Sequence, residues 1–172
     1  MIITISGRPG SGKSTVSKIV ANKLNLKHYS TGDFMRDIAK NKNMTLLELS
    51  KLAQEDPSID ELLDERQRKL ALNEENFVID ARLGFYFIPF SFKIYLKVSD
   101  KEAAKRIVKR ENIDYDVALK QSITRIKSEH LRYKNKYGVD YEDEKNYDLF
   151  IDTDKLNQNE FANKIIDIIS NS

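Results

Sequence analysis

Short apolar runs alternate with longer amphipathic segments along the whole chain. The short runs are typical of buried parallel strands. They predict strands at residues 1–5, 26–30, 77–80, 92–98 and 149–152. The amphipathic segments predict helices at residues 15–24, 33–40, 45–54, 57–73, 100–110 and 115–136, with a last helix that begins near Asn157. Strands separated by helices predict an α/β fold with a parallel sheet, in which ligands bind at the carboxyl ends of the strands.

Polar residues mark where several of these helices begin. A Ser, Thr or Asn followed three positions later by Glu can cap a first helical turn through reciprocal hydrogen bonds. Pairs of this kind are Thr45 with Glu48, Ser99 with Glu102 and Asn157 with Glu160. Asp56 followed by Pro57 gives another start signal.

Composition narrows the classes of protein to consider. The chain has 172 residues, with 29 Lys plus Arg, 27 Asp plus Glu and no Cys. The length fits one domain, and the nearly balanced charge argues against a nucleic-acid partner. The lack of cysteine excludes disulfides and thiolate metal sites, and no apolar stretch approaches membrane-spanning length. Because residues 1–5 already form a predicted strand, a signal peptide is not expected. We therefore expect a cytoplasmic, monomeric protein without a membrane partner.

The segment GRPGSGKS at residues 7–14 carries the strongest chemical signal. It lies between a predicted strand and a predicted helix, and it matches the pattern G-x-x-x-x-G-K-[ST]. Its glycines let the backbone approach an anion closely, and the helix directs its positive end toward that anion. Lys13 adds a charge for the β- and γ-phosphates, and the Ser14 hydroxyl is placed to hold Mg²⁺. The segment predicts a phosphate-binding loop.

Charged residues beyond this loop suggest where a second substrate binds. Asp80 ends an apolar strand, so its carboxylate would emerge beside the loop, and Arg82 could reach an acceptor phosphate. Guanidinium groups neutralise the charge on a phosphoryl group in transfer. Further candidates are Arg36, Arg106, Arg110, Arg125 and Arg132, with Glu129 on the same helix face as the last two. Arg8, Arg66 and Arg68 are expected to form surface ion pairs, and the two histidines, His28 and His130, receive no role.

Several segments together resemble nucleoside-monophosphate kinases of the P-loop class, most closely the short cytidylate kinases of archaeal type. These segments are GRPGSGKST, STGDFMR, VIDARL, the R-x-x-x-R of Arg106 and Arg110, and YDLFIDT. SITRIKSEHLRYKNKYGVD resembles the lid of that family, and AQEDPSIDELLDERQ resembles its acceptor-side helices. The resemblance covers essentially the whole chain. It implies a five-stranded parallel sheet flanked by helices, in a single kinase domain over residues 1–172. Its core would be residues 1–32, 76–104 and 146–172, with mobile acceptor-binding helices at 33–75 and a mobile lid at 105–145.

The resemblance also implies residue roles. ATP would be bound by Gly7, Arg8, Pro9, Gly10, Ser11, Gly12, Lys13, Ser14 and Thr15, with Arg106 near the adenine. The catalytic residues would be Lys13, Arg110, Arg125 and Arg132. The acceptor nucleotide would be held by Thr31, Arg36, Asp80, Arg82 and Glu129. Mg²⁺ would be held by Ser14, and by Asp80 through water.

The implied activity is ATP-dependent, Mg²⁺-assisted in-line phosphoryl transfer to CMP or dCMP, which gives CDP or dCDP. The chain departs from the family at Ala81, where Gly is usual, and at Leu83, where the bacterial enzymes carry an acid. The D-G-F-P-R signature of adenylate kinases is absent, which counts against AMP as acceptor. Another small-molecule kinase, of the adenylate or shikimate type, remains an alternative. A nucleotide switch is a further alternative, although the N-K-x-D motif of GTPases is absent.

Overall fold

The computed structural model describes residues 1–171, except for the side chains at positions 46, 47 and 50. The strands within that range are β1 (Ile2–Gly7), β2 (Lys27–Ser30), β3 (Phe77–Asp80), β4 (Phe92–Lys97) and β5 (Leu149–Asp152). They form a five-stranded sheet in the order β2-β3-β1-β4-β5, and every pairing is parallel. The predicted strands and the predicted α/β class are confirmed.

Helices cover both faces of this sheet. They are α1 (Lys13–Lys23), α2 (Thr31–Asn41), α3 (Leu46–Glu55), α4 (Pro57–Asn73), α5 (Gly84–Phe87), α6 (Asp100–Glu111), α7 (Tyr115–Tyr137) and α8 (Gln158–Ser170). A 3₁₀ turn lies at Glu144–Asn146. The sequence pattern does not predict α5 or the 3₁₀ turn, because elements this short show no periodicity. Within the described residues, no helix is both long and apolar enough to cross a membrane.

Apolar side chains pack on both faces of the sheet. One face packs on α1 and α8 through a buried cluster that contains Ile3, Ile5, Val16, Val20, Val78, Ile94, Leu96, Phe161 and Ile165. The other face packs on α5 and α7 through Phe77, Ile79, Phe85, Phe87, Tyr95, Tyr133 and Tyr141. A separate cluster joins α2, α3 and α4 through Ile38, Ala39, Leu49, Ala53 and Ile59. The predicted acceptor-side helices therefore have a small core of their own.

The strand register brings the predicted site residues to one edge of the sheet. Asp80 at the end of β3 lies opposite Ile5 of β1 and Ser30 of β2. Because parallel strands end at the same edge, the loop after β1, the Asp80 carboxylate and the start of α2 meet there.

Two of the predicted reciprocal caps form, and the third forms only in part. The confirmed pairs are Thr45 with Glu48 and Asn157 with Glu160. At α6 the Ser99 hydroxyl accepts from the Glu102 N–H at 3.3 Å. The Ser99 N–H, however, donates to the Asp154 carboxylate at 2.9 Å, and the Glu102 carboxylate accepts from Arg106 at 3.2 Å. The reciprocal half of the predicted Ser99–Glu102 cap is therefore wrong, because both groups have other partners.

Candidate active site

The loop between β1 and α1 depends on glycines with a left-handed backbone. Gly10 and Gly12 have φ angles of 79° and 88°, which residues with side chains rarely adopt. A Cβ on Gly10 would come within 2.8 Å of the Ala103 backbone, because α6 packs directly against the loop. Gly12 is the N-cap of α1 and provides no side-chain cap. The first N–H groups of α1 therefore suit an anion, which the helix dipole also favours.

Lys13 is the first residue of α1, and its ammonium group lies against the loop. Its Nζ donates a hydrogen bond to the carbonyl oxygen of Arg8 at 3.0 Å. Burial and the nearby guanidinium of Arg82 lower the pKa of Lys13 to about 7. An anion in the loop would give this ammonium a counter-charge and raise its pKa again. Pro9 and Ser11 of the same loop are buried.

Ser14 and Asp80 meet at the base of the loop. The Ser14 hydroxyl donates a short hydrogen bond to the Asp80 carboxylate, and the Thr31 hydroxyl donates to the Asp80 carbonyl oxygen at 3.3 Å. In nucleotide sites Mg²⁺ is usually held by one or two protein oxygens, substrate phosphates and water. The Ser14 hydroxyl and the buried Asp80 carboxylate fit that donor set. Among the described residues, no cluster of three His, Cys, Asp or Glu side chains could hold a metal by itself.

Glu129 joins α7, the helix of the predicted lid, to the end of β3. Its two carboxylate oxygens lie 2.6 Å from Nε of Arg82 and 2.9 Å from Nε of Arg125. Glu129 is 6% exposed, so both charges of the Arg82–Glu129 pair are largely removed from water. Burial by itself would lower the pKa of Arg82, but the combined charge interactions with Glu129, Tyr133, Tyr141 and Asp80 outweigh that effect and raise it. The structure thus brings Asp80, Arg82, Arg125 and Glu129 together beside the loop.

The other predicted arginines lie in different surroundings. Arg132 of α7 has its Nε 3.5 Å from the carboxylate of Asp60 on α4. Arg36 forms an ion pair with Asp33 in its own helix, and Arg110 forms one with its neighbour Glu111 at 2.5 Å. Both Arg36 and Arg110 are exposed. In this conformation the structure therefore places Arg132 between α7 and α4, and it leaves Arg36 and Arg110 facing solvent.

Comparison with known proteins identifies the family that carries these features. Residues 2–155 match the sequence model of the cytidylate kinase-like family. The chain belongs to this family. A cytidylate kinase of Methanocaldococcus jannaschii is 42% identical over 99% of this chain and 98% of that protein. A cytidylate kinase of Sulfurisphaera tokodaii is 40% identical over 99% of this chain and 96% of that protein.

Solved structures share the fold of this cytidylate kinase-like chain. An uncharacterized protein from Eubacterium ventriosum matches 100% of this chain and 99% of its own, with a TM-score of 0.77 and 23% identity. A shikimate kinase from Bacteroides thetaiotaomicron matches 99% of this chain and 98% of its own, with a TM-score of 0.71 and 17% identity. At these identities the likeness shows the fold alone. The predicted P-loop kinase fold is therefore confirmed.

Arg106 fastens the phosphate loop of this cytidylate kinase-like protein to the end of β5. Its guanidinium donates to the carbonyl oxygen of Thr153 at 2.7 Å, to the Thr153 hydroxyl at 3.1 Å and to the carbonyl oxygen of Gly10 at 3.4 Å. These bonds place Arg106 against the loop. Its predicted position near the adenine stays a prediction.

Arg8 forms the ion pairs expected of it, but they reach across the protein and are half-buried. Its guanidinium pairs with Asp100 at the start of α6 and with both carboxylate oxygens of Glu142. Glu142 also accepts from Tyr95 at 2.8 Å and lies 2.9 Å from Nε2 of His130. Although burial acts in the opposite direction, the hydrogen bonds from Arg8, Tyr95 and His130 lower the pKa of Glu142 to about 2. Glu142 therefore ties the phosphate loop to α7.

The other two arginines that were expected to form surface ion pairs differ from each other. Arg66 forms the expected surface ion pair, with Asp37 at 3.3 Å. Arg68 instead places its guanidinium 4.8 Å from the ring centre of Phe87. A cation above an aromatic face is stabilised by the ring quadrupole, which the charge pattern of the sequence does not reveal.

The sequence reasoning missed a set of buried polar residues on α4. Asp60, Asp64 and Gln67 are 9%, 6% and 3% exposed. Asp64 accepts a hydrogen bond from the Tyr137 hydroxyl at 2.6 Å and lies 3.9 Å from Nζ of Lys136. Their spacing places the three residues on one helix face, a signal that the sequence contains. Because polar residues usually mark the solvent face of a helix, the sequence alone does not show that this face is buried.

Proposed function

We propose that this protein transfers the γ-phosphoryl group of ATP to CMP or dCMP and releases ADP with CDP or dCDP. The family match and the relatives named cytidylate kinase support the acceptor class. The observation that carries the proposal is the meeting of the phosphate loop with Asp80, Arg82 and Glu129 at one edge of the sheet. A phosphoryl group needs this combination of fixed donors and cations on either side during transfer.

On this proposal, the loop and the first turn of α1 bind the ATP phosphates, with Lys13 on the transferred group. Mg²⁺, held by Ser14 and through water by Asp80, would neutralise charge on the phosphate oxygens. Arg82 faces the acceptor phosphate, and Arg125 contacts the transferred group. Catalysis then rests on positioning and charge neutralisation and needs no strong general base. The remaining proposed contacts are Thr31 and Arg36 to the acceptor, Arg110 and Arg132 to the transferred group, and Arg106 to the adenine.

We further propose a single kinase domain over residues 1–172, with mobile segments at 33–75 and 105–145, that acts as a cytoplasmic monomer. The separate small core of α2, α3 and α4 supports independent motion of the first segment. The exposed positions of Arg36 and Arg110 support closure, since both must turn inward to meet phosphate.

An assay of several possible phosphate acceptors tests the proposed function directly. With ATP and Mg²⁺, we expect kcat/KM for CMP or dCMP to exceed that for UMP at least about tenfold, and that for AMP by more. A base pocket whose donors and acceptors match cytosine leaves some of those buried groups unpaired when a different base binds. The measurement is ADP formation in a coupled assay with CMP, dCMP, UMP, AMP and shikimate. AMP or shikimate as the best acceptor would refute the cytidylate assignment, and no phosphorylation of any acceptor would favour the nucleotide switch.

Lid closure is tested by hydrogen exchange. A transferred phosphoryl group must be kept from water, so residues 105–145 should close when both nucleotides are bound. We expect exchange across this segment to slow sharply with a bisubstrate analogue and to slow less with ATP alone. Strand β3 serves as the internal control, because its buried amides should exchange slowly in every state. Equal protection of residues 105–145 in the free and ternary states would contradict a mobile lid.

A further inference from the structure

One face of α4 carries polar groups that are buried against α7. Asp60, Asp64 and Gln67 follow one another at intervals of four and three residues, so they form a stripe along the helix. Burial of two carboxylates and an amide is costly unless each group has hydrogen-bond partners. The cost of burying this stripe therefore depends on which groups its polar atoms contact.

Residues of α7 supply only part of those partners. Arg132 faces Asp60 at 3.5 Å, and both Tyr137 and Lys136 approach the same oxygen of Asp64, Oδ2. A carboxylate can accept about four hydrogen bonds. Asp64 thus keeps the capacity to accept from a further donor.

Gln67 has an acceptor that the protein does not satisfy. Its Nε2 donates to the carbonyl oxygen of Leu63 at 3.4 Å. Its Oε1 is buried and, among the residues that the structure describes, meets no hydrogen-bond partner. An unpaired buried acceptor is destabilising. Asp64 and Gln67, one helical turn apart, therefore share a need for hydrogen-bond donors.

The position of the stripe fits the base end of an acceptor nucleotide. Glu129 and Arg132 lie on one face of α7, and the first of them pairs with Arg82 beside the phosphate loop. Lys136, next to Asp64, lies seven residues after Glu129 along α7, which is about 10 Å at the rise of an α-helix. A nucleotide with its phosphate at Arg82 and its base lying along α7 would bring that base to Asp64. Leu83, which follows Arg82, is buried in an apolar cluster, and its side chain offers no hydrogen-bond acceptor.

We propose that Asp64 and Gln67 select cytosine by accepting hydrogen bonds from its exocyclic amine. This inference rests on the proposed function. The amine carries two N–H donors, one for the Asp64 carboxylate and one for Gln67 Oε1. Uracil has a carbonyl oxygen at the same position, so it would place a third acceptor against two acceptors and leave its own oxygen and Gln67 Oε1 unpaired. Asp64 and Gln67 are thus specificity-determining residues and take no part in the phosphoryl transfer.

Asp64→Asn tests this selection through the ratio of kcat/KM for CMP to kcat/KM for UMP. We expect the ratio to fall at least about tenfold, because the introduced amide can donate to the uracil oxygen. The KM for ATP should stay unchanged. Gln67→Met, which removes the unpaired acceptor at similar volume and keeps the Asp60 and Asp64 ion pairs, should lower the same ratio by a smaller factor. It also provides the test if Asp64→Asn fails to fold.

Glu61→Gln is the matched control, since it removes a carboxylate from the exposed side of α4. Its ratio should equal that of the wild type. A ratio within about twofold of wild type in both Asp64→Asn and Gln67→Met would overturn the inference, because a merely structural role lowers activity with CMP and UMP alike. In that case a wild-type enzyme that prefers CMP would still support the proposed function. A wild-type enzyme without that preference would refute both.

Discussion

Replacing Lys13 with alanine should lower kcat by on the order of a thousandfold and leave the fold intact. The Lys13 ammonium lies against the loop and, on the proposed mechanism, contacts the transferred group where negative charge develops. Steady-state kinetics with ATP and CMP, together with a thermal melt, provide the measurement. Lys18→Ala, which removes an exposed lysine from the same helix, is the control and should retain wild-type turnover. A Lys13→Ala enzyme with kcat within about tenfold of wild type would contradict a mechanism based on charge neutralisation.

The protonation of Lys13 gives a second check on the same residue. Its pKa is about 7 in the free protein, and the negative charge of bound phosphates should raise that pKa. At pH 8 Lys13 is therefore mostly neutral before ATP binds and more fully protonated afterwards, so binding should take up a proton. At pH 6 Lys13 is already charged, and this uptake should disappear. Calorimetry in buffers with different ionisation enthalpies measures the uptake, and Lys13→Ala should abolish it.

Most of the fold follows from local patterns in the sequence. The strands are short apolar runs, and each is found close to its predicted position. A buried parallel strand is a nearly continuous apolar run, so it can be recognised without knowing which strands it pairs with. Helix α1 begins two residues before its predicted start because Gly12, expected in the loop, acts as its N-cap with a left-handed φ. The four residues of α5 are helical because they pack into the apolar cluster with Tyr133 and Tyr141, which lie far away in sequence.

The parts of the candidate site that lie close together in sequence could be predicted, and the parts that the fold brings together could not. The phosphate loop is a contiguous motif, so Lys13 and Ser14 follow from spacing alone. The resemblance assigns Arg82 and Glu129 to the acceptor site, but it does not predict that they pair, because the two residues lie on elements far apart in sequence. The buried stripe at Asp64 and Gln67 could not be predicted, because its burial depends on which face of α4 meets α7. Side-chain burial of this kind is a property of the assembled tertiary structure.

The Arg82–Glu129 pair should show the other large effect, in stability as well as activity. Arg82→Met removes the cation and leaves the Glu129 carboxylate, which is 6% exposed, paired among the described residues with Arg125. Loss of one member of a buried ion pair typically costs several kcal/mol, because the other charge stays desolvated. We expect the free energy of unfolding to fall by about 3 kcal/mol. This is at the low end of the typical cost of breaking a buried ion pair, since Arg125 still neutralises part of the Glu129 charge. Denaturant unfolding measures this loss.

The double variant Arg82→Met/Glu129→Met separates stability from function. It removes both buried charges, and the Arg125 side chain that is left is more than half exposed and can be hydrated. We therefore expect the double variant to recover most of the stability that Arg82→Met loses. It should remain as inactive as the single variant, since in both variants the acceptor phosphate has lost one of its cations. Arg66→Met is the control. It breaks a largely solvated pair with Asp37 and should cost less than about 1 kcal/mol. A double variant no more stable than Arg82→Met would show that the instability does not come from an unpaired Glu129.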